Sequence, residues 1–186
     1  MLPEQFCVRM KEMLGEEYAA FYASYDLPKY QALRINPLKT EWDTFLQQAP
    51  FSLNRVPWTT NGYYYSGNDQ PGRHPYHEAG VYYIQEPSAM APAEYLMAEP
   101  GERILDLCAA PGGKSTQIAC SMQGEGLIVC NEIHPARAKI LSENIERMGV
   151  CNALVTNETP QKLSDNFREY FDRILVDAPC SGEGMF

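Results

Sequence analysis

The stretch Arg103-Ile-Leu-Asp-Leu-Cys-Ala-Ala-Pro-Gly-Gly-Lys-Ser115 decides the fold. Residues 103–107 form a short apolar run of strand length, and 114–122 carry helical spacing, so the segment between them is a strand-to-helix turn. Gly112 and Gly113 lack Cβ and let a ligand lie against the backbone, while the free N–H groups opening the next helix favour a negative group such as a carboxylate. Three ligands compete for such a turn. A Walker phosphate loop needs Gly five positions before the Gly of Gly113-Lys114-Ser115, and Cys108 stands there. A dinucleotide fingerprint needs G-x-G-x-x-G, which the stretch lacks. S-adenosylmethionine (AdoMet) remains.

Strands and helices alternate regularly around this turn. Residues 81–85 read as a strand, 87–97 as a helix with Pro87 near its first turn, 127–130 as a strand and 135–148 as a helix with Ala138, Leu141, Ile145 and Met148 on one face. Strands at 153–156 and 173–176 flank a helix-like stretch at 166–170. The pattern predicts a parallel α/β sheet, which binds ligands at the carboxyl ends of its strands. A carboxylate closing the second strand, about 20 residues past the glycines, is the expected acceptor for a ribose diol, and Glu132 holds that place. At the end of the third strand Glu158 is a candidate for the adenine amino group, with Asn157 as the alternative.

The first part of the chain is patterned differently. Residues 2–25 predict two short helices broken at Gly15, 32–36 a strand stopped by Pro37, and Thr40 an N-cap for a helix through Trp42, Phe45 and Leu46. Strands and turns follow over 51–65. Residues 66–78, dense in Gly, Pro, Asn and His, read as a solvated connector open to substrate contact. His74 and His77 have no third ligand nearby, so no metal site is expected.

With 186 residues and 45% hydrophobic content the chain can bury a substantial core. It holds no run of about 18 apolar residues, and Met1-Leu2-Pro3-Glu4 opens no signal sequence, so no membrane partner is expected and the location reads as cytoplasmic. The six cysteines show no CxxC spacing and fit a reducing compartment, most of them as packing residues. The net charge of −9 does not advertise nucleic acid, since phosphate binding draws on clustered Lys and Arg; a local basic patch or a domain beyond residue 186 would have to supply it.

The fourth strand ends in Asp177-Ala-Pro-Cys-Ser-Gly-Glu-Gly-Met185. A Pro-Cys at this edge matters because cytosine C5 becomes nucleophilic enough to take a methyl group only after a thiolate adds to C6. An amino-group methyltransferase would carry a polar-Pro-Pro-aromatic sequence here instead.

These residues resemble the Sun family of AdoMet-dependent RNA cytosine-C5 methyltransferases, in particular the bacterial members that modify 16S ribosomal RNA. The resemblance rests on 106–114, on 177–184, on Leu33-Arg-Ile-Asn-Pro-Leu-Lys39 and on Tyr83-Ile-Gln-Glu-Pro-Ser-Ala-Met90, four motifs in the family's order. It implies a Rossmann-like AdoMet-dependent methyltransferase sheet over 83–186, incomplete at its C-terminal end, preceded by a small α+β RNA-binding subdomain over 1–82. It implies AdoMet contacts from Cys108, Ala109, Ala110, Pro111, Gly112, Gly113, Lys114, Glu132, Glu158 and Asp177. Lys114, Asp177 and Cys180 would stand at the reaction centre, and Arg34 and Lys39 would be RNA backbone contacts. In this family the attacking cysteine lies in a Thr-Cys motif on the next strand, expected after Phe186, while the Pro-Cys cysteine assists release of the methylated RNA. These 186 residues alone are therefore expected to bind AdoMet without turnover. Two rival readings stay open: a methyltransferase with Cys180 as its nucleophile, and a non-catalytic module that binds RNA or AdoMet. Oligomeric state is not legible.

Overall fold

The computed structural model describes residues 2–180, which form two compact units: 2–30 with 179–180, and 31–178. In the first, α1 (Glu4–Leu14) and α2 (Tyr18–Ser24) are joined by a 3-10 turn beginning at Gly15, as the sequence predicts. An aromatic cluster holds them together, with the Phe21 and Tyr25 rings 5.4 Å apart edge to face and Phe6 6.2 Å from Phe21.

The second unit contains two sheets. The antiparallel one has the order β2-β3-β1-β4, from β1 (Ala32–Ile35), β2 (Asn54–Arg55), β3 (Gly62–Tyr64) and β4 (Tyr82–Ile84). Every residue of β1 is buried, because both faces are covered. Leu33 and Ile35 pack with Phe45, Tyr63 and Tyr82 on one side, and Ala32 joins Val56 and Met90 in a separate cluster. Helix α3 (Trp42–Gln48) supplies Phe45, and its N-cap is Glu41 rather than Thr40, whose hydroxyl bonds to the Glu41 carbonyl instead. The 66–78 segment contains a 3-10 turn (Pro71–Arg73) and the short α4 (Pro75–Glu78), with Pro71 buried and the His74 ring 5.5 Å from Phe51.

β4 departs from its expected place in the α/β alternation. It pairs antiparallel with β1 through Leu33↔Ile84, Arg34↔Tyr83 and Ile35↔Tyr82. Tyr82 is needed in the aromatic cluster around Phe45, which fixes the strand in this sheet, so the antiparallel sheet runs past the 82/83 position to Ile84.

The parallel sheet has the order β7-β6-β5-β8, from β5 (Arg103–Asp106), β6 (Leu127–Asn131), β7 (Ala153–Thr156) and β8 (Arg173–Leu175). Ile104, Ile128 and Cys130 face α5 (Ala91–Leu96), α6 (Gly113–Met122) and α7 (Pro135–Arg147) in the main core, where Ile118, Met122 and Leu141 are also fully buried. Each such side chain contributes about 1.5–3 kcal/mol. Leu105 and Val129 point to the opposite face, under Leu163 of α8 (Pro160–Asn166). That helix lies ahead of the 166–170 stretch expected from the sequence. Thr159 caps it by accepting from the Lys162 N–H with Pro160 in the first turn, and Glu169 at φ +49° is in the left-handed region.

Candidate functional site

From β5 the chain winds outward through β6 to β7 and then returns to place β8 on the other side of β5. The loops leaving β5 and β8 therefore diverge from neighbouring strands and leave a crevice between them, the position where open α/β sheets bind ligands. The β5 loop is 107–112 and the β8 loop carries Asp177. The Lys114 Nζ and an Asp177 carboxylate oxygen meet across it at 2.7 Å, Asp177 being half exposed.

The β5 loop is pinned from behind. Arg137 Nη2 donates to the Ala110 carbonyl and Asn144 Nδ2 to that of Pro111, both at 2.8 Å, and the Ala109 N–H donates to the Asn131 carbonyl at 2.8 Å. Gly112 sits at φ +111° and an added Cβ would stand 3.2 Å from Leu141 Cδ1. At Gly113 a Cβ would lie 3.3 Å from Tyr83 Cε1, so the loop passes close to the end of β4. Between them opens a cavity of about 250 Å³, walled by Cys108–Pro111 and Lys114 on one side, by Tyr83–Glu86 and Ala89 on the other, with Asp177 at its rim. A larger groove of about 510 Å³ lies on the other face of the sheet, between α8 and β8, but its lining is mostly Leu, Ile, Val and Phe and offers little to a charged ligand.

Asp106 ends β5 beneath the loop and is 1% exposed. Its Oδ2 accepts from Ser115 Oγ at 2.7 Å, while Oδ1 has no partner. Burial pushes its pKa up to about 6, against the pull of the Ser115 hydrogen bond and of Lys114. The Cys108 thiol is raised too, by burial first and then by the charges of Asp106, Glu132 and Asp177, which keeps it a neutral thiol.

Glu132 follows β6 and is 3% exposed. One carboxylate oxygen accepts from the His134 N–H at 2.9 Å and the other faces Arg137 Nη1 at 3.1 Å, which leaves acceptor capacity on both. The Asn157 side-chain amide donates to the Glu132 carbonyl at 2.6 Å, whereas the Glu158 carboxylate is partly exposed beside Lys162 at 2.9 Å. The Asn157 bond uses one amide hydrogen and leaves its Oδ1 as an acceptor, so both adenine candidates keep an acceptor for an amino group.

The residues 108–114 and Asp177 are thus brought together, with Glu132 and Glu158 at the ends of successive strands. Arg34 is not with any surface: it is 0% exposed and cannot contact an RNA backbone. The two-sided covering of β1 is the reason, since the face opposite Leu33 packs on α6 and turns the guanidinium inward to Thr116 Oγ1 at 2.7 Å. Lys39 is exposed, yet its Nζ donates to the Ala79 and Arg147 carbonyls at 3.0 and 2.8 Å, so its charge serves the end of α7. Cys180 is exposed and belongs to the first unit. Sequence reasoning missed Arg137, Gln85 and the unpaired oxygen of Asp106. Arg137 had a signal, a lone cation in the first helical turn after Glu132; the other two are visible only in three dimensions.

A parallel sheet with this switch point, a glycine cradle after its first strand and acids after the next define the Rossmann-like fold class of AdoMet-dependent methyltransferases. Residues 93–186 match the family model of 16S rRNA methyltransferase RsmB/F, and 2–87 match the N-terminal domain of 16S rRNA methyltransferase RsmF. The chain belongs to the RsmB/F family. It is 38% identical over 194 aligned positions to ribosomal RNA small subunit methyltransferase F of Enterobacter sp. (strain 638), covering 98% of this chain and 40% of that protein. For the Pectobacterium atrosepticum protein of the same name the identity is 39%, covering 99% and 40%. The chain therefore spans about 40% of the length of the curated relatives it matches. Among solved structures, a methyltransferase homolog protein from Pyrococcus horikoshii superposes with TM-score 0.86 at 30% identity, covering 98% of this chain and 61% of that one. NSun6 from the same organism gives TM-score 0.83 at 20% identity, covering 96% and 71%, a likeness of fold.

Proposed function

We propose that this chain is the AdoMet-binding part of a protein that methylates C5 of a cytidine in RNA, most specifically 16S ribosomal RNA, in the cytoplasm. The observation that carries the AdoMet reading is the buried, half-satisfied Asp106 carboxyl beneath a glycine-ended loop whose Ala110 and Pro111 carbonyls are tied back by Arg137 and Asn144. This arrangement fits a ligand bearing a cationic end and a carboxylate, and the acids following β6 and β7 fit its sugar and base. When bound, AdoMet supplies an electrophilic methyl group.

The chain's own residues then divide the work. The N–H of Gly113 and the rest of the opening turn of α6 bind the carboxylate, since the Gly112 N–H is spent on the Ala109 carbonyl; Glu132 accepts from the ribose hydroxyls, and Glu158 accepts from the adenine amino group. Cys108, Ala109, Ala110 and Pro111 shape the wall. Lys114 and Asp177, paired at 2.7 Å, keep a proton donor and an acceptor at the cavity rim, where a base taken out of its stack would enter. Cys180 follows closely in sequence and assists release of the methylated RNA. Residues 1–82, with the sheet completed by β4, carry RNA recognition; with Arg34 buried, that recognition runs through other side chains.

The test has two levels. Titration calorimetry of the 186-residue chain with sinefungin, a stable AdoMet analogue, is expected to show saturable binding; no heat at millimolar ligand refutes the AdoMet reading. For the whole protein, labelled methyl transfer to 16S ribosomal RNA is expected to map to C5 of a cytidine, and label on any other position refutes the substrate reading.

A further inference from the structure

Arg34 is completely buried, and among the described residues no carboxylate pairs with it. Its guanidinium is met by neutral acceptors: Thr116 Oγ1 at 2.7 Å, Gln85 Oε1 at 3.2 Å, the Gly113 carbonyl at 3.3 Å and Cys120 Sγ at 3.5 Å. The Tyr83 ring lies 5.9 Å from it, with Arg147 5.5 Å from the same ring. A buried charge without a counter-charge is costly. What this one achieves is orientation.

A guanidinium only donates, so the Gln85 atom facing it must be the carbonyl oxygen; a flipped amide would set N–H against N–H. The same orientation sends Gln85 Nε2 to the Ala89 carbonyl at 3.0 Å, which uses one of its two hydrogens. Gln85 is 7% exposed, and what it exposes is cavity wall, opposite Cys108–Pro111 and Lys114. Nε2 lies 3.4 Å from where a Cβ on Gly113 would stand, so the missing side chain keeps this approach open. The acids proposed for ribose and adenine follow β6 and β7, whereas Gln85 shares its cavity with Lys114 and Asp177.

We infer that Gln85 Nε2 donates a hydrogen bond to the N3–O2 edge of the target pyrimidine, and that Arg34 is the positioning residue that holds the amide donor-outward. The inference rests on the function proposed above. Both bases present an acceptor at O2, but cytosine presents an acceptor at N3 where uracil presents an N–H, so a donor locked on N3 selects between them. An unlocked amide could turn its oxygen outward and would lose that selection.

Gln85→Glu tests this because it keeps the size and gives Arg34 a carboxylate, while placing acceptors only at the cavity wall. The ion pair gained offsets the bond to Ala89 that is lost, and the melting temperature reports whether the fold holds. Cytidine 5′-monophosphate is titrated into the sinefungin-saturated chain and followed by NMR on the side-chain amides. The Gln85 amide signals are expected to shift in the parent chain. Gln85→Glu and Arg34→Met are each expected to weaken the nucleotide by about tenfold or more, the worth of one hydrogen bond to an uncompensated group. Sinefungin affinity should stay within about twofold, below the effect of a lost contact. Unchanged nucleotide affinity in Gln85→Glu overturns the inference, as does an equal loss of sinefungin affinity, which would assign the amide to the cofactor. So does a parent chain that binds sinefungin but not the nucleotide. A parent chain that fails to bind sinefungin instead sinks the AdoMet reading beneath it. Should Arg34→Met unfold, Gln85→Glu alone decides.

Discussion

Asp106→Asn separates the electrostatic cost of the site from its packing. In the folded chain burial raises the Asp106 pKa from 3.8 to about 6. A group raised in this way contributes stability that is fully present below its unfolded pKa and is lost as pH climbs through the folded value. At 1.36 kcal/mol per unit the whole shift is worth about 3 kcal/mol, of which about 2.4 kcal/mol is lost between pH 4 and pH 8 because the unfolded carboxyl is already more than half ionised at pH 4. Glu102 and Asp172 work in the opposite sense, held low by hydrogen bonds from Arg173 and from the Arg103 backbone respectively, so they lose stability as pH falls. Because both variants share them, the difference between wild type and Asp106→Asn isolates Asp106. Asparagine can still accept from Ser115, but its Nδ2 takes the unpartnered Oδ1 position, a pH-independent offset of about 1–3 kcal/mol. The prediction is therefore a slope. Urea unfolding followed by circular dichroism at pH 4, 5, 6, 7 and 8 should show Asp106→Asn gaining about 2.4 kcal/mol on wild type across the series, mostly between pH 4 and 6. Parallel stability curves for the two proteins would refute the claim that this carboxyl is buried at a cost.

Gly112→Ala forces a Cβ into the left-handed region at φ +111° and to 3.2 Å from Leu141 Cδ1, and is expected to lose about 1–3 kcal/mol in urea unfolding; an unchanged midpoint would mean the cradle relaxes freely. Glu132→Gln removes the charge but keeps the acceptor, so sinefungin affinity should drop about tenfold by calorimetry. Its stability should move by only about 1 kcal/mol or less, because the Arg137 partner is half exposed. Equal affinity for wild type and Glu132→Gln would remove Glu132 from the ribose site.

The α/β half was legible because its signals are local. Period-2 and period-3.6 apolar patterns, paired with Gly112-Gly113, place β5, α6, β6, α7 and β7 within a residue or two. α8 was misplaced because apolar Phe167, Tyr170 and Phe171 suggest a helix, while the cap and first-turn pair Thr159-Pro160 marks the real start. β4 was misassigned because a strand followed by a helix and another strand reads the same whether or not the first strand joins the sheet of the second. Only the pairing partners of Tyr82 and Tyr83 distinguish the two cases, and partners at a separation of about fifty residues leave no local trace. Arg34 failed for a related reason: a cation in a strand is ordinarily a surface group, and its burial depends on α6 covering the second face of β1.

That covering changes what a division between RNA-binding and cofactor-binding parts can mean here. Arg34 reaches from β1 into α6 at Thr116, the Asn36 amide donates to the Met148 carbonyl at 2.8 Å, and Lys39 holds the Arg147 carbonyl one residue earlier. Three side chains of β1 and the turn that follows it thus terminate on α6 and on the C-terminal end of α7, the two helices that carry and brace the β5 loop. These bonds satisfy buried donors and the last carbonyls of α7, so separating the sheets would strand them on both sides. The cavity wall at Tyr83 and Gln85 is consequently fixed to the loop it faces. A base recognised by the first sheet would meet a cofactor held by the second without a domain movement to align them, which is the geometry that methyl transfer over a single bond length requires.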